Sequence, residues 1–111
     1  MSSVLCVILN WRTPEMTLKA AQAAIMAMKG IDGAITLVDN DSQDGSFEAM
    51  TEAARDWPRV RVLQSGRNGG YGAGNNHGIR AGLPDGSRPD YIYILNSDAF
   101  PAPDAVGALV E

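Results

Sequence analysis

The residues best suited to chemistry fall into a few short clusters. Asn96, Ser97 and Asp98 follow an apolar run. A carboxylate at such a strand end can place an oxygen on a hard divalent cation, which in turn neutralises a substrate phosphate. The same aspartate can equally cap local backbone groups in a turn. A second cluster, Asp39 to Ser46, holds Asp39, Asp41 and Asp44. Asn40, Ser42, Asp44 and Gly45 fit the opening positions of a calcium loop, but Thr51 stands where a bidentate glutamate must close it, which argues against an EF-hand. Asp44-Gly45 supplies a bend and Ser46 a helix cap. That turn leaves Asp39, at the end of an apolar run, without an explanation.

The third cluster is Gly69-Gly70-Tyr71-Gly72-Ala73-Gly74. It fails the dinucleotide fingerprint, because Asn75 occupies the third glycine position and the loop follows the third strand instead of the first. No Walker lysine-serine pair occurs. A glycine loop that opens a helix still offers backbone N–H groups to a phosphate; otherwise it is a plain flexible turn. Asn10-Trp11 forms a fourth cluster, where the indole either stacks on a nucleobase or fills a cleft wall. The single histidine, His77, reads as a surface or packing residue. Cys6 reads as a small buried hydrophobe and Trp57 as helix packing.

Four apolar runs position these clusters: Val4 to Leu9, Ala34 to Val38, Val60 to Leu63 and Tyr91 to Leu95. They recur at roughly thirty-residue intervals, the length of a βαβ unit. The first is apolar throughout, as in a strand covered on both faces, whereas the third alternates and predicts a less covered face. Between them, Thr13-Pro14 predicts a capped helix start with Leu18, Ala21, Ile25 and Met28 at helical spacing and Gly30 as a stop. Ser46 predicts the cap of a second helix with Phe47, Met50, Ala54 and Trp57 on one face. A third helix is expected from about Gly74 to Ala81, and a fourth from near Pro103. Alternating elements of this kind imply an α/β fold with a mostly parallel sheet and right-handed crossovers. Ligands then bind beyond the carboxyl ends of the strands, where all four clusters fall.

The whole chain of 111 residues is one small domain's worth of sequence. Its net charge of −4 is the wrong sign for gripping a nucleic-acid backbone, so nucleic acid is not an expected partner. Neither a signal peptide nor a membrane span is legible, and a lone cysteine forms no internal disulfide, so a cytoplasmic location is expected. Glu111 falls inside an unfinished helical pattern, which reads as the N-terminal part of something longer.

Taken together, Val-Ile-Leu-Asn-Trp at Val7 to Trp11, Leu-Val-Asp-Asn-Asp-Ser-Gln-Asp-Gly-Ser at Leu37 to Ser46, the run from Asn68 to Ile79 and Leu-Asn-Ser-Asp at Leu95 to Asp98 carry a resemblance. In this order the chain resembles the N-terminal half of family 2 glycosyltransferases with the GT-A fold, nearest the rhamnosyltransferase-like branch. The resemblance implies a Rossmann-like sheet of about four strands and a nucleotide-diphosphate-sugar donor, UDP- or dTDP-linked. It places Asn10 and Trp11 beside the nucleobase and makes Asp39 an acceptor of a hydrogen bond from it. Asn68, Gly69 and Gly70 would line the nucleotide pocket. The Asp-x-Asp element that holds Mg²⁺ or Mn²⁺ departs here, with Asn96 in its first position and Asp98 as the strong ligand. It further implies an inverting transfer to a saccharide or lipid-linked acceptor, peripheral contact with the inner face of a membrane, and a general base beyond residue 111. The alternative reading is a non-catalytic, truncated or degenerate nucleotide-binding module that self-associates as a homodimer through an exposed sheet edge.

Overall fold

The computed structural model describes residues 3–97. In order these form β1 (Ser3–Asn10), α1 (Pro14–Ala27), β2 (Asp32–Asp39), α2 (Ser46–Ala54), β3 (Val60–Gln64), α3 (Tyr71–Ala81) and β4 (Tyr91–Leu95). The four strands make one parallel sheet in the order β3-β2-β1-β4. β1, apolar at nearly every position, is buried along its whole length and lies inside the sheet. β3, whose sequence alternates, is an edge strand and half-buried throughout.

Both faces of the sheet are covered at β1 and β2, and each face presents a different set of β1 side chains, because successive residues of a strand point to opposite sides. Val4, Cys6 and Ile8, with Ile35 and Leu37 of β2, pack against Ala20, Ala21, Ala24 and Met28 at α1 and Met50 of α2. Leu5, Val7 and Leu9, with Ala34 and Val38, pack against Leu83 and Ile79 on the α3 side. The chain therefore moves away from β1 over one face and returns from β3 over the other, arriving at β4. The direction of winding reverses between β1 and β4, and a crevice at the carboxyl ends is expected there.

The boundaries differ from expectation for reasons visible in the packing. β2 starts at Asp32, two residues before Ala34, because Gly33 pairs with Val4 and a Cβ there would meet the Val4 carbonyl oxygen at 1.9 Å. α3 starts at Tyr71 instead of Gly74, with Gly70 at φ +96° preceding it and the Gly74 N–H donating to the Gly70 carbonyl at 3.1 Å. Glycines lower helix propensity by about 1 kcal/mol each, which hides this start in the sequence. Contact with the sheet needs them: a Cβ on Gly74 would lie 2.5 Å from Leu9 Cδ1, and one on Gly78 would lie 2.9 Å from both Val7 and Val38 methyls.

The caps are also reassigned. Thr13 stands at the N-cap of α1 but makes no side-chain cap bond; its hydroxyl turns to Asn10 Oδ1 at 3.5 Å. Ser46 is the first residue of α2, not its cap, and Asp44 receives both its N–H, at 3.0 Å, and its hydroxyl. The helix expected near Pro103 lies outside the described residues. Among the described residues no helix is long and apolar enough to cross a membrane.

Candidate functional site

The parallel register sets Asn10, Asp39 and Gln64 side by side at the carboxyl ends of β1, β2 and β3. Asp39 is 1% exposed, and its carboxylate accepts four hydrogen bonds from within the protein. Oδ1 receives Asn10 Nδ2 at 2.9 Å and the Ser42 hydroxyl at 2.6 Å. Oδ2 receives the Ser42 N–H at 3.2 Å and Gln64 Nε2 at 3.0 Å. Among the described residues no cation pairs with it, so these donors alone compensate the buried charge. Asn10, fully buried, accepts the Thr17 hydroxyl at 2.7 Å on its Oδ1. Ser42 then accepts the Arg12 N–H at 2.8 Å, and Arg12 Nε donates to the Ser42 carbonyl at 3.1 Å. Four loops or elements are thereby tied to one carboxylate.

A second clasp holds the glycine loop. Asn40, 2% exposed, donates from Nδ2 to Asn68 Oδ1 at 2.9 Å and to the Gly70 carbonyl at 3.3 Å. Its Oδ1 accepts the Ser65 hydroxyl at 2.9 Å. Asn68 Oδ1 also receives the Gly70 N–H at 3.1 Å, so the loop is shaped by side-chain amides and not left as a flexible turn. At the start of α3 the Tyr71 hydroxyl donates to Asn96 Oδ1 at 2.6 Å, joining the glycine loop to the end of β4.

The residues singled out from the sequence thus separate into two groups. Asn10 and Asp39 lie beneath the surface with internal partners. Trp11, Asn68, Gly69, Gly70 and Asn96 are exposed at the carboxyl end of the sheet. Trp11 is 46% exposed, and the Arg12 guanidinium lies 4.6 Å from its ring centroid, a cation–π contact that leaves part of the indole free. Beside it, a hollow of ≈ 440 Å³ opens at the start of α1, lined by Arg12, Thr13, Pro14, Glu15, Met16 and Lys19. Asp98 lies outside the described residues. His77 is exposed, Cys6 is fully buried, and Trp57 packs on the core, as the sequence suggested.

Two groups of titrating residues show the local electrostatics. The Ser46 hydroxyl holds Asp44 below the usual carboxylate range. Burial pushes the Cys6 thiol up to about 12, which leaves it protonated and unreactive. For a divalent cation, the described residues contain no group of three acidic, histidine or cysteine side chains that would hold one. Asn96 is the described residue that the motif places on the metal, and its Oδ1 is already engaged by Tyr71. The described residues therefore do not by themselves make a cation site.

Sequence reasoning missed Ser42, Thr17, Asn40 and Tyr71. Thr17 carried a usable signal, a hydroxyl on the same face of α1 as Ala20, Ala21 and Ala24. The pairing of Tyr71 with Asn96 carried none, since nothing in sequence brings residues of α3 and the end of β4 together.

The arrangement of strand ends, glycine loop and helices has close counterparts. The crystal structure of Staphylococcus aureus TarS residues 1–349 superposes with a TM-score of 0.74 at 14% identity, covering 99% of this chain and 31% of that one. TarS in complex with UDP-GlcNAc gives a TM-score of 0.75 at 14% identity, covering 99% and 30%. In sequence, the chain is 31% identical over 105 residues to the succinoglycan biosynthesis protein ExoO of Rhizobium meliloti, covering 95% of this chain and 28% of the relative. It is 30% identical over 119 residues to N-acetylglucosaminyl-diphospho-decaprenol L-rhamnosyltransferase of Mycobacterium tuberculosis, covering 100% of this chain and 37% of the relative. The chain thus spans about a third of the length of these curated relatives. The sequence pattern of glycosyl transferase family 2 matches residues 7–111, nearly the whole chain, and the chain belongs to that family.

Proposed function

We propose that this chain forms the donor-binding part of an inverting glycosyltransferase that moves a sugar from a nucleoside-diphosphate donor to a saccharide or lipid-linked acceptor. The observation that carries this reading is the convergence of Trp11, the Asn40-clasped glycine loop and Asn96 beyond the strand ends, beside the β1/β4 reversal. The TarS structure with UDP-GlcNAc supports a nucleotide sugar as the ligand. In this reading Trp11 offers its free ring surface to the base, and the loop from Asn68 to Gly70 presents polar backbone to the nucleotide. Asn10 and Asp39 act as positioning residues that hold the β1 and β2 ends in place. No residue of this donor-binding part is assigned as the base that deprotonates the acceptor. A divalent cation, when bound, would neutralise the leaving diphosphate. Asp98 is its candidate ligand, and the other steps of the reading do not depend on it.

Titration calorimetry of the chain with UDP and dTDP, each with and without Mn²⁺, tests the proposal. Saturable binding that Trp11→Ala weakens without loss of fold supports it. Mn²⁺-dependent affinity lost in Asp98→Ala supports the metal. A folded chain that binds neither nucleotide under any of these conditions overturns the donor reading.

A second reading is favoured by one feature, the exposed β4 edge. Ile92 and Ile94 are 45% and 44% exposed on a strand that, among the described residues, has a partner on one side only. Such edges pair readily, and the reading is a self-associating module. Light scattering after size exclusion separates the two: a monomer at high concentration counts against self-association.

A further inference from the structure

The arginines of this chain divide by what their guanidiniums do. Arg12 donates to Ser42, Arg55 to Glu52, Arg59 to the carbonyls of Ile31 and Met28, and Arg61 to Thr36 and the Gly82 carbonyl. Among the described residues, the guanidiniums of Arg67, Arg80 and Arg88 donate to no protein acceptor. Arg88 lies on another hollow, whereas Arg67 and Arg80 line one cavity of ≈ 240 Å³, together with His77, Asn76, Ser65 and Asn40. No carboxylate lines it, in a chain whose net charge is −4. At 3.6 residues per turn, Asn76, His77 and Arg80 lie on the side of α3 opposite Tyr71. The cavity therefore faces the end of β3, on the other side of the glycine loop from Tyr71 and Asn96 at the β1/β4 end, and shares only Gly69 with the loop that the nucleotide reading uses.

The walls of this cavity are set by bonds already described. Asn40 and Ser65 are bonded to each other, and Asn40 anchors Asn68 and Gly70 beside them. The Arg67 guanidinium lies against Gly69, at ordinary contact distance from where a Cβ would stand. Two planar forks of N–H donors, an imidazole and neutral polar groups surround one space. A tetrahedral oxyanion, with acceptors pointing in several directions, uses such a set better than a single carboxylate does.

We propose that this cavity is a second anion site, which takes a phosphate group outside the nucleotide cleft. The phosphate belongs either to a soluble phosphomonoester or to a phospholipid headgroup. The test uses inorganic phosphate at constant ionic strength, followed by amide NMR shifts of the chain, alone and saturated with UDP. The expected result is a saturable shift of Ser65 to Arg67 and Asn76 to Arg80 that leaves Trp11 and Asn96 still and persists with UDP present. Arg67→Gln/Arg80→Gln, which removes no bond within the protein, should weaken phosphate binding tenfold or more and leave the circular dichroism spectrum and UDP binding unchanged. Sedimentation with phosphatidate against phosphatidylcholine vesicles separates the sources, since phosphatidate-selective, arginine-dependent capture identifies a headgroup. The site is overturned by shifts confined to the β1/β4 cleft, by binding that the double variant retains, or by no binding of phosphate or phosphatidate. This outcome is independent of whether the nucleotide reading holds.

Discussion

Removing the carboxylate of Asp39 is the sharpest test of how the strand ends are held. Asp39→Ala strips the acceptor from four donors. Gln64 is only half-buried and can turn to water, and the Ser42 hydroxyl can rotate. The Ser42 N–H and Asn10 Nδ2 are trapped below the surface, each costing about 1–3 kcal/mol when left unpaired. Relief from burying a charge offsets part of this, so a net loss of about 3 kcal/mol is expected. For a domain of this size that corresponds to a fall in Tm of roughly 12 °C. Asp39→Asn keeps one acceptor oxygen but sets an amide N–H₂ against the remaining donors, and about half that loss is expected. Urea denaturation at pH 7 followed by circular dichroism measures both. In a double-mutant cycle, Asn10→Ala and Asp39→Ala should be non-additive by 1 kcal/mol or more, on the order seen for groups in one hydrogen-bond network. The positioning role is refuted if Asp39→Ala stays within about 0.5 kcal/mol of the parent, the range of ordinary surface substitutions, while nucleotide affinity collapses.

Three further outcomes follow from the packing and the titrating groups. Gly78→Ala should lose about 1–2 kcal/mol, because a Cβ meets Val7 and Val38 at 2.9 Å, whereas Gly72→Ala, with nothing within 4 Å, should gain up to about 1 kcal/mol in urea midpoint analysis. The Cys6 thiol should be silent to thiol reagents in the native chain and react fully in denaturant. Its folded value near 12 stands above the ordinary 9.0, so its contribution to stability is intact below about pH 9 and falls by about 1.4 kcal/mol per unit between 9 and 12; Cys6→Val should lack this loss. Tyr71→Phe frees Asn96 and should weaken UDP binding several-fold with a change in stability under about 1 kcal/mol, since both residues are exposed; unchanged affinity would remove Tyr71 from the site.

Much of the architecture is local and therefore readable. Apolar runs of strand length, separated by helical periodicity, dictate an α/β alternation, and a run apolar at every position dictates a strand covered on both faces. The clusters at Asn10, Asp39, Asn68 and Asn96 were placed at strand ends because the runs stop there. What misled the reading was glycine. The propensity of Gly72 and Gly74 argued against a helix from Tyr71, yet helix–sheet contact demands residues without Cβ at Gly74 and Gly78, and packing overrides a preference of about 1 kcal/mol.

The roles within the site were decided by the third dimension. Sequence alone determined that Asp39 ends an apolar strand and that Asn96 ends another, because side-chain polarity and spacing are properties of the chain itself. It carried no information on which donors reach those groups. Parallel register aligned Asn10, Asp39 and Gln64, and thereby buried the Asp39 carboxylate among four donors. The return of the chain across the opposite face of the sheet brought Tyr71 to Asn96, 25 residues away in sequence. Hydrogen-bond partners depend on distances between strands, and those distances exist only once the sheet has formed.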